Sequence, residues 1–267
     1  MRPGLLEVTS IDVGEGDSIL LVTPEGRTLL VDAGGPIWGA ASQLLFGEDV
    51  VAPYLWTRRI SRLDAVAISH GHSDHIRGMP AVLKDFRPKE LWIGLLPPSQ
   101  ALDKLIAEAN ALGIKVVRHW EGDEFNLGGA KVDVLFPLRD WPVGLEPKNN
   151  DSMVLHVTYG ETSVLLEGDA EKAVERRIAS QHHFHADLLK VGHHGGATST
   201  TPEILAAVKP SFAVISLGFR TNFGFPKPEV LQRLQASGAQ VYRTDLNGAV
   251  TFYLDGHKVT PSLPALQ

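Results

Sequence analysis

Short apolar runs separated by turn residues organise most of the chain. "EVTSIDV", "DSILLVTP" and "RTLLVDAG" are rich in aliphatic and β-branched residues and are divided by "GEG" and "PEG", which predicts three successive strands joined by tight turns. "DAVAISH" predicts a further buried strand. The apolar period then lengthens in "GMPAVLKDF" and in "SQALDKLIAEANALG", the latter ending at Gly113, which predicts two helices. "ELWIG" and "IKVVRHW" are the strands that follow them. Further along, "KVDVLFP", "SMVLHVTYG", "ETSVLLEGD", "ADLLKVGHH", "FAVISLG", "QVYRTD" and "AVTFYLDG" predict strands, and "AEKAVERRIASQ", "PEILAAVK" and "KPEVLQRLQASG" predict helices.

This order contains a repeat. A hairpin ending in "VDAGG" leads through a helical region to a strand ending in "SHGHSDH"; later a hairpin ending in "LEGDA" leads through a helix to a strand ending in "VGHHGG". Two such units packed face to face give an α/β fold, an αββα sandwich of two mixed β-sheets with outer helices, in which both sets of strand ends meet at one edge. A chain of 267 residues buries enough surface for one domain spanning residues 1–267.

The predicted edge is where the chemistry gathers. His70 and His72 lie two apart, so on extended backbone their rings share a side, and Asp74 and His75 follow where a loop enters a helix. Imidazole and carboxylate suit Zn²⁺, Mn²⁺ or iron, and this cluster is large enough for two ions. Asp169 in "LLEGDA" stands at a strand tip, where a carboxylate bridges cations roughly 3.5–4 Å apart, although an aspartate there also serves as a helix N-cap. Asp32 in "LLVDAGG" either orients a ligand by hydrogen bonds or forms the turn before Gly34 and Gly35. Of His193 and His194, one is expected to ligate a metal while the other faces substrate or packs, and alternation does not choose between them. His119, His156 and His257 are read as structural, and His182, His183 and His185 as a solvated helix end.

Composition narrows the setting. A formal net charge of −6, from 25 basic and 31 acidic residues, excludes coating of nucleic acid through bulk positive charge, so any polyanion must be held locally, for instance by metal ions. The absence of cysteine excludes disulfides, thiolate metal sites and a cysteine nucleophile. No apolar run reaches the ~18 residues of a spanning helix and "MRPGLLEVTS" lacks a signal-peptide pattern, so the chain as given is expected to be soluble.

Asp32, the H-x-H-x-D-H run at 70–75, Asp169 and the later histidine resemble the motif series of the metallo-β-lactamase superfamily, whose fold is the αββα sandwich. Over nearly the whole chain, "IDVGEGDSILL", "LLVDAGG", "SHGHSDHIRG", "NNDSMVL", "LLEGDAE", "LLKVGHHGG" and "RTDLNGA" resemble the soluble metallo-β-lactamase-like domain of the ComEC family of DNA-uptake proteins. The resemblance implies a nuclease that degrades the non-transported strand, with DNA, expected to be single-stranded, as partner. It also implies a membrane channel domain in the same full-length protein and a place at the extracytoplasmic face of the membrane. Carried over by position, His70 and His72 hold one of two divalent ions (Zn or Mn), and Asp74, His75 and either His193 or His194 hold the other. Asp169 lies between them, with Asp74 and Asp169 at the catalytic centre. The superfamily usually supplies a further histidine before the bridging aspartate; "NND" stands here instead, so Asn149, Asn150 or a water completes that shell. Two departures bear on turnover rather than on metals: Gly196 replaces a serine, and Phe225 replaces a histidine.

In the nuclease reading the ions bind a scissile phosphate and lower the pKa of a bridging water, so that hydroxide attacks in line. Lys190, Ser199, Thr200 and Arg243 are the candidate phosphate contacts, with Arg77, which stands where the family commonly has glycine. The same centre would serve a small-molecule hydrolase acting on a β-lactam, lactone or phosphoester. A catalytically weakened DNA-guiding module is the non-enzymatic rival.

Overall fold

In the computed structural model, which describes residues 2–36, 45–219 and 223–264, the short apolar runs pair into two sheets. The first has the order β15 (Val259–Ser262), β14 (Val250–Leu254), β1 (Leu6–Ser10), β2 (Ile19–Val22), β3 (Thr28–Val31), β4 (Ala65–Ile68), β5 (Glu90–Ile93) and β6 (Lys115–Arg118). The second has the order β13 (Gln240–Arg243), β12 (Phe212–Ile215), β11 (Leu188–Lys190), β10 (Thr162–Leu166), β9 (Val154–Tyr159), β8 (Ala130–Phe136) and β7 (Glu124–Leu127). Each sheet is mixed. An antiparallel hairpin, β2–β3 or β9–β10, hands over to parallel neighbours, β4 or β11. The C-terminal ends of β3, β4, β10 and β11 therefore point the same way within each sheet, as the repeat predicts.

Strands covered on both faces read as continuous apolar runs rather than as alternation. Leu21, Leu29, Val31 and Ala67 point inward against Val134, Leu155, Val164 and Leu166 of the facing sheet. Leu20, Leu30, Val66 and Ile68 point outward, under Val82, Leu83 and Phe86 of α3 (Met79–Phe86) and Leu102 and Leu105 of α4 (Gln100–Ala111). On the other side Leu165, Leu189, Ala213 and Ile215 pack beneath α5 (Lys172–Gln181), α6 (Pro202–Val208) and α7 (Pro228–Ala236). Truncating one such residue, Leu30→Ala for example, costs about 2–5 kcal/mol through lost transfer energy and the cavity left behind. The helices start where their caps predict: the Ser99 hydroxyl accepts from the Leu102 N–H at 3.2 Å, and that of Thr201 from Ile204 N–H at 3.3 Å.

Two edge strands escape the sequence pattern, for physical reasons. β7 has four residues, two of them polar and exposed, and β15 carries Pro261, which only an edge strand tolerates. The predicted strand "QVYRTD" stops at Arg243, after which Thr244–Asn247 form a single helical turn. Among the described residues no helix is long and apolar enough to cross a membrane.

Candidate metal centre

The first half of the centre is built by the loop that leaves β4. His72 is extended (φ −71°, ψ 152°) and opens a short helix, α2 (Ser73–Ile76), which carries Asp74 and His75 back toward the strand end. The Nε2 of His72 donates to the Pro147 carbonyl at 2.9 Å, so its Nδ1 keeps a lone pair. His70 has its Nδ1 against the Ser69 hydroxyl at 3.1 Å, a group already committed to Asp32 as donor. That leaves Nε2 of His70 as a second lone pair, 3.0 Å from Nδ1 of His72. Two lone pairs at that distance repel unless a cation lies between them. Burial, reinforced by the charge of His75, holds His70 well below the ordinary imidazole range and keeps it in the neutral, ligating form.

His75 follows the same logic. Its Nδ1 donates to Asp32 Oδ2 at 2.8 Å, and Asp32 is itself fixed by the Ser69 N–H at 2.8 Å and the Ser69 hydroxyl at 2.6 Å. Of the two readings of Asp32, ligand orientation is the one this geometry fits.

The second half supplies Asp169 and His194. Gly168 takes a left-handed conformation (φ 54°), and a Cβ there would sit 2.9 Å from both Ser69 Cβ and Ser152 Oγ, so the chain turns into the site only at glycine. The Asp169 N–H then donates to the Ser152 hydroxyl at 3.0 Å. Oδ2 of Asp169 lies 3.9 Å from His70 Nε2 and 3.4 Å from His75 Nε2, and Oδ1 lies 3.4 Å from His194 Nε2. His193 and His194 both have left-handed backbone (φ 48° and 52°), in the turn Gly192–Gly195 after β11. His194 Nδ1 donates to the Ser216 carbonyl at 2.9 Å, which aims Nε2 at Asp169 and, at 3.5 Å, at Asp74 Oδ2.

Asp74, His75, Asp169 and His194 thus present ligand atoms within 4.8 Å of one another. Among the described residues His75 Nε2, His194 Nε2 and Asp169 Oδ1 are buried with no hydrogen-bond partner of good geometry, which costs about 1–3 kcal/mol each when nothing else satisfies them. The carboxylates make the space attractive to positive charge. Burial pushes His194 down, but Asp169 and Asp17 carry its pKa up to about 10. His75 is likewise raised against burial, by Asp169, Asp74 and Asp32, while His194 and His75 hold Asp169 well below the usual carboxylate range despite its burial. This donor set fits divalent ions: Asp74, His75, Asp169 and His194 could hold one, and His70, His72 and Asp169 another.

Several sequence-based expectations change. His193 lies outside that set of four and is partly exposed, with Nδ1 3.3 Å from Thr198 Oγ1 and 3.6 Å from Glu171 Oε1. Asn150 does not complete a metal shell; its carbonyl accepts from the Glu171 N–H at 2.9 Å, and the Asn149 amide donates to Glu171 Oε1 at 3.2 Å. Lys190 is not a phosphate contact: it is buried in an ion pair with Asp17. Ser199 and Thr200 are buried as well. The Ser199 hydroxyl donates to the Ala170 carbonyl at 2.7 Å, and the Thr200 N–H is held by Glu175. Arg243 is engaged by Asp245 through two bonds of 3.0 and 2.6 Å, whereas Arg77 is exposed one residue beyond α2. Gly196 leaves room for His193, because a Cβ there would sit 2.9 Å from its Nδ1. Phe225 stacks edge-on against the same ring at 5.4 Å. Ser69, Ser152, the Ser216 carbonyl and Asp17 went unrecognised in the sequence; of these only Asp17 left a signal, its place in the "GEGD" turn.

Comparison with known proteins agrees with this geometry. Residues 11–218 match the family model of the Metallo-beta-lactamase superfamily. The chain is similar to ComE operon protein 3 of Bacillus subtilis, 34% identical across 92% of this chain and 33% of that protein. It is also similar to Recombination protein 2 of Haemophilus influenzae (32%; 91% of this chain, 28% of that protein) and to Competence protein ComA of Neisseria gonorrhoeae (30%; 92% and 32%). The chain therefore spans about a third of the length of the curated relatives it matches. Among solved structures, the metallo-beta-lactamase fold protein YhfI from Bacillus subtilis aligns with a TM-score of 0.58 at 14% identity, over 96% of this chain and 100% of that one. CmlA, a diiron beta-hydroxylase from Streptomyces venezuelae, aligns with a TM-score of 0.57 at 16% identity, over 95% and 54%. At such identities the likeness shows the fold alone.

Proposed function

Because the chain belongs to the metallo-beta-lactamase superfamily, we propose that it is a one-domain metal-dependent hydrolase that holds two divalent ions and cuts the phosphodiester backbone of a DNA strand. The observation that carries the reading is the convergence of four imidazole nitrogens and two carboxylates on one space, with Asp169 reaching every histidine ligand but His72. Ions bound there would neutralise a phosphate and make an attacking water acidic.

The side chains divide the remaining work. His70, His72 and Asp169 would hold one ion, and Asp74, His75, His194 and Asp169 the other. Asp32, Ser69 and the Pro147 and Ser216 carbonyls fix the rings so that each presents its free nitrogen. His193, braced by Thr198 and Asn149 and partly exposed, would contact substrate rather than an ion. Charge supplied by ions also explains how an acidic chain would approach an acidic polymer.

Support for a single strand comes from beside His193, against whose ring Phe225 packs. The rings of Phe223 and Phe225 stack at 5.6 Å with Phe223 47% exposed, and the Lys227 ammonium lies 5.5 Å from the Phe225 ring, a face suited to an unpaired base. The names of the relatives, competence and recombination proteins, favour a role in DNA uptake, with a membrane channel in the same protein and this domain at the extracytoplasmic face.

The test is a metal-reconstituted assay, with Mn²⁺ and with Zn²⁺, on single- and double-stranded DNA, a generic phosphodiester and a β-lactam. We expect single-stranded DNA to be cut, and Asp169→Asn to lose more than the ~100-fold that removing an outer-shell partner costs. Intact DNA combined with Asp169-dependent opening of the β-lactam would overturn the proposal.

A further inference from the structure

Asp17 and Lys190 form an ion pair inside the molecule, and neither has a place in the ligand set. Both side chains are all but inaccessible, 2% and 1% exposed. They come from different halves: Asp17 ends the "GEGD" turn between β1 and β2, and Lys190 ends β11.

The turn is clamped onto the centre. Gly16 is left-handed (φ 83°), and a Cβ on it would lie 1.7 Å from the Asp74 carbonyl oxygen, so it passes directly over the start of α2. The Ser216 hydroxyl donates to the Gly16 carbonyl at 2.8 Å, and the Gly34 N–H donates to the Asp17 carbonyl at 2.8 Å. The Asp17 carboxylate is thereby lodged behind two imidazoles at once. Oδ1 is 3.5 Å from Nδ1 of His194, and Oδ2 is 3.9 Å from Nδ1 of His75, in each case the nitrogen opposite the one that faces the ligand space. Lys190 completes the arrangement from the second half. Its ammonium pairs with Asp17 Oδ2, donates to the Gly168 carbonyl at 3.0 Å and lies 4.0 Å from Asp169 Oδ1.

Isolated buried charges are expensive, and an ion pair usually does no better than an apolar pair of the same size, so stability alone gives little reason to keep this one. Its contacts give another. We infer that Asp17, charge-balanced by Lys190, is a positioning residue for the metal centre: its charge lies behind the N–H groups that His75 donates to Asp32 and His194 donates to Ser216, and so keeps the ligand histidines of both halves in register with Asp169. This inference rests on the metal reading of the centre.

The test uses the full chain with Asp17→Asn, Lys190→Met and the double variant, measuring Mn²⁺ affinity by titration calorimetry and stability by thermal melting. Each single variant leaves a buried partner uncompensated and is expected to melt lower. The double variant removes both charges and recovers melting temperature, yet still binds Mn²⁺ about tenfold or more weakly, the size of loss an outer-shell partner carries. If Asp17→Asn does not fold, the double variant decides alone. Recovery of Mn²⁺ affinity together with melting temperature would make the pair merely structural and overturn the inference while leaving the metal reading intact. A wild-type chain that takes up no Mn²⁺, Zn²⁺ or Fe²⁺ would instead overturn the metal reading, and this inference with it.

Discussion

Asp32 and Glu167 occupy the same place in the two halves of the molecule. Each is the first residue after the second strand of a hairpin, and each lies under the loop that leaves the next, parallel strand. Both are fully buried. The resemblance ends at their partners. Asp32 accepts from the Ser69 N–H, the Ser69 hydroxyl and His75. Among the described residues Glu167 has no hydrogen-bond partner of good geometry on either oxygen. Burial raises Asp32, and His75 and Ser69 draw it only part of the way back; in Glu167 burial and the neighbouring Glu175 both push upward, against a weaker pull from Lys190 and the Gly192 N–H, and the result lies well above the ordinary range. A repeated topology sets an acid beneath each loop, and the loop decides what that acid bonds to. In the first half the loop brings a histidine back to it. In the second the histidine turns to Ser216 instead, and the acid that faces the candidate ligand space is displaced two residues, through Gly168, to Asp169.

The largest effect that would break this contrast concerns the second loop. His194→Ala should lose one of the two bound ions and nearly all hydrolysis, whereas His193→Ala should keep both ions, as counted by elemental analysis of protein dialysed against metal. The reverse result would put His193 in the ligand set, and the second half would no longer turn its ligand away from Glu167.

Why the sequence left these two histidines open is visible in their backbone. Alternation assigns sides only while the chain stays extended, and the left-handed φ of His193 and His194 ends that regime at Val191. The crowd at 70–75 was legible because all four side chains come from one strand end and the turn after it, as was the double hairpin-to-parallel pattern behind the two sheets. Partners from distant segments were not legible. Lys190 looked like a free cation beside the site because nothing near it in the sequence announces Asp17, and Ser69, Ser152 and Ser216 read as ordinary strand-end polar residues. Ser199 and Thr200 read as phosphate contacts for the same reason: their burial depends on Ala170 and Glu175, which the fold brings to them.

A smaller effect separates the two acids directly. Asp32→Asn leaves the His75 ring without its anionic acceptor and should weaken Mn²⁺ binding about 10–100-fold, as loss of an orienting carboxylate does. Glu167→Gln, the same change at the matching position, should leave Mn²⁺ affinity at the wild-type value, because Glu167 orients no ligand. Calorimetric titration of the two variants side by side checks this. Equal losses would mean that both acids support ligands and that the halves are functionally alike.

The smallest effect is on stability, and its sign follows from the raised pKa of Glu167. Below the unfolded glutamate pKa both states hold the proton, and the group contributes no pH dependence. Above it the unfolded chain releases the proton while the folded one retains it, so wild-type stability declines with rising pH, by up to about 1.4 kcal/mol per pH unit, until the folded pKa is reached. Glutamine resembles the protonated acid in shape and never releases a proton, so Glu167→Gln is spared that decline. The melting temperature of the variant minus that of wild type, taken with saturating Mn²⁺ so that the ligands stay engaged, should therefore grow more positive from about pH 5 to about pH 8. A difference for Glu167→Gln that stays flat across this window would mean that Glu167 is ionised in the folded protein, and its contrast with Asp32 would reduce to the identity of their neighbours.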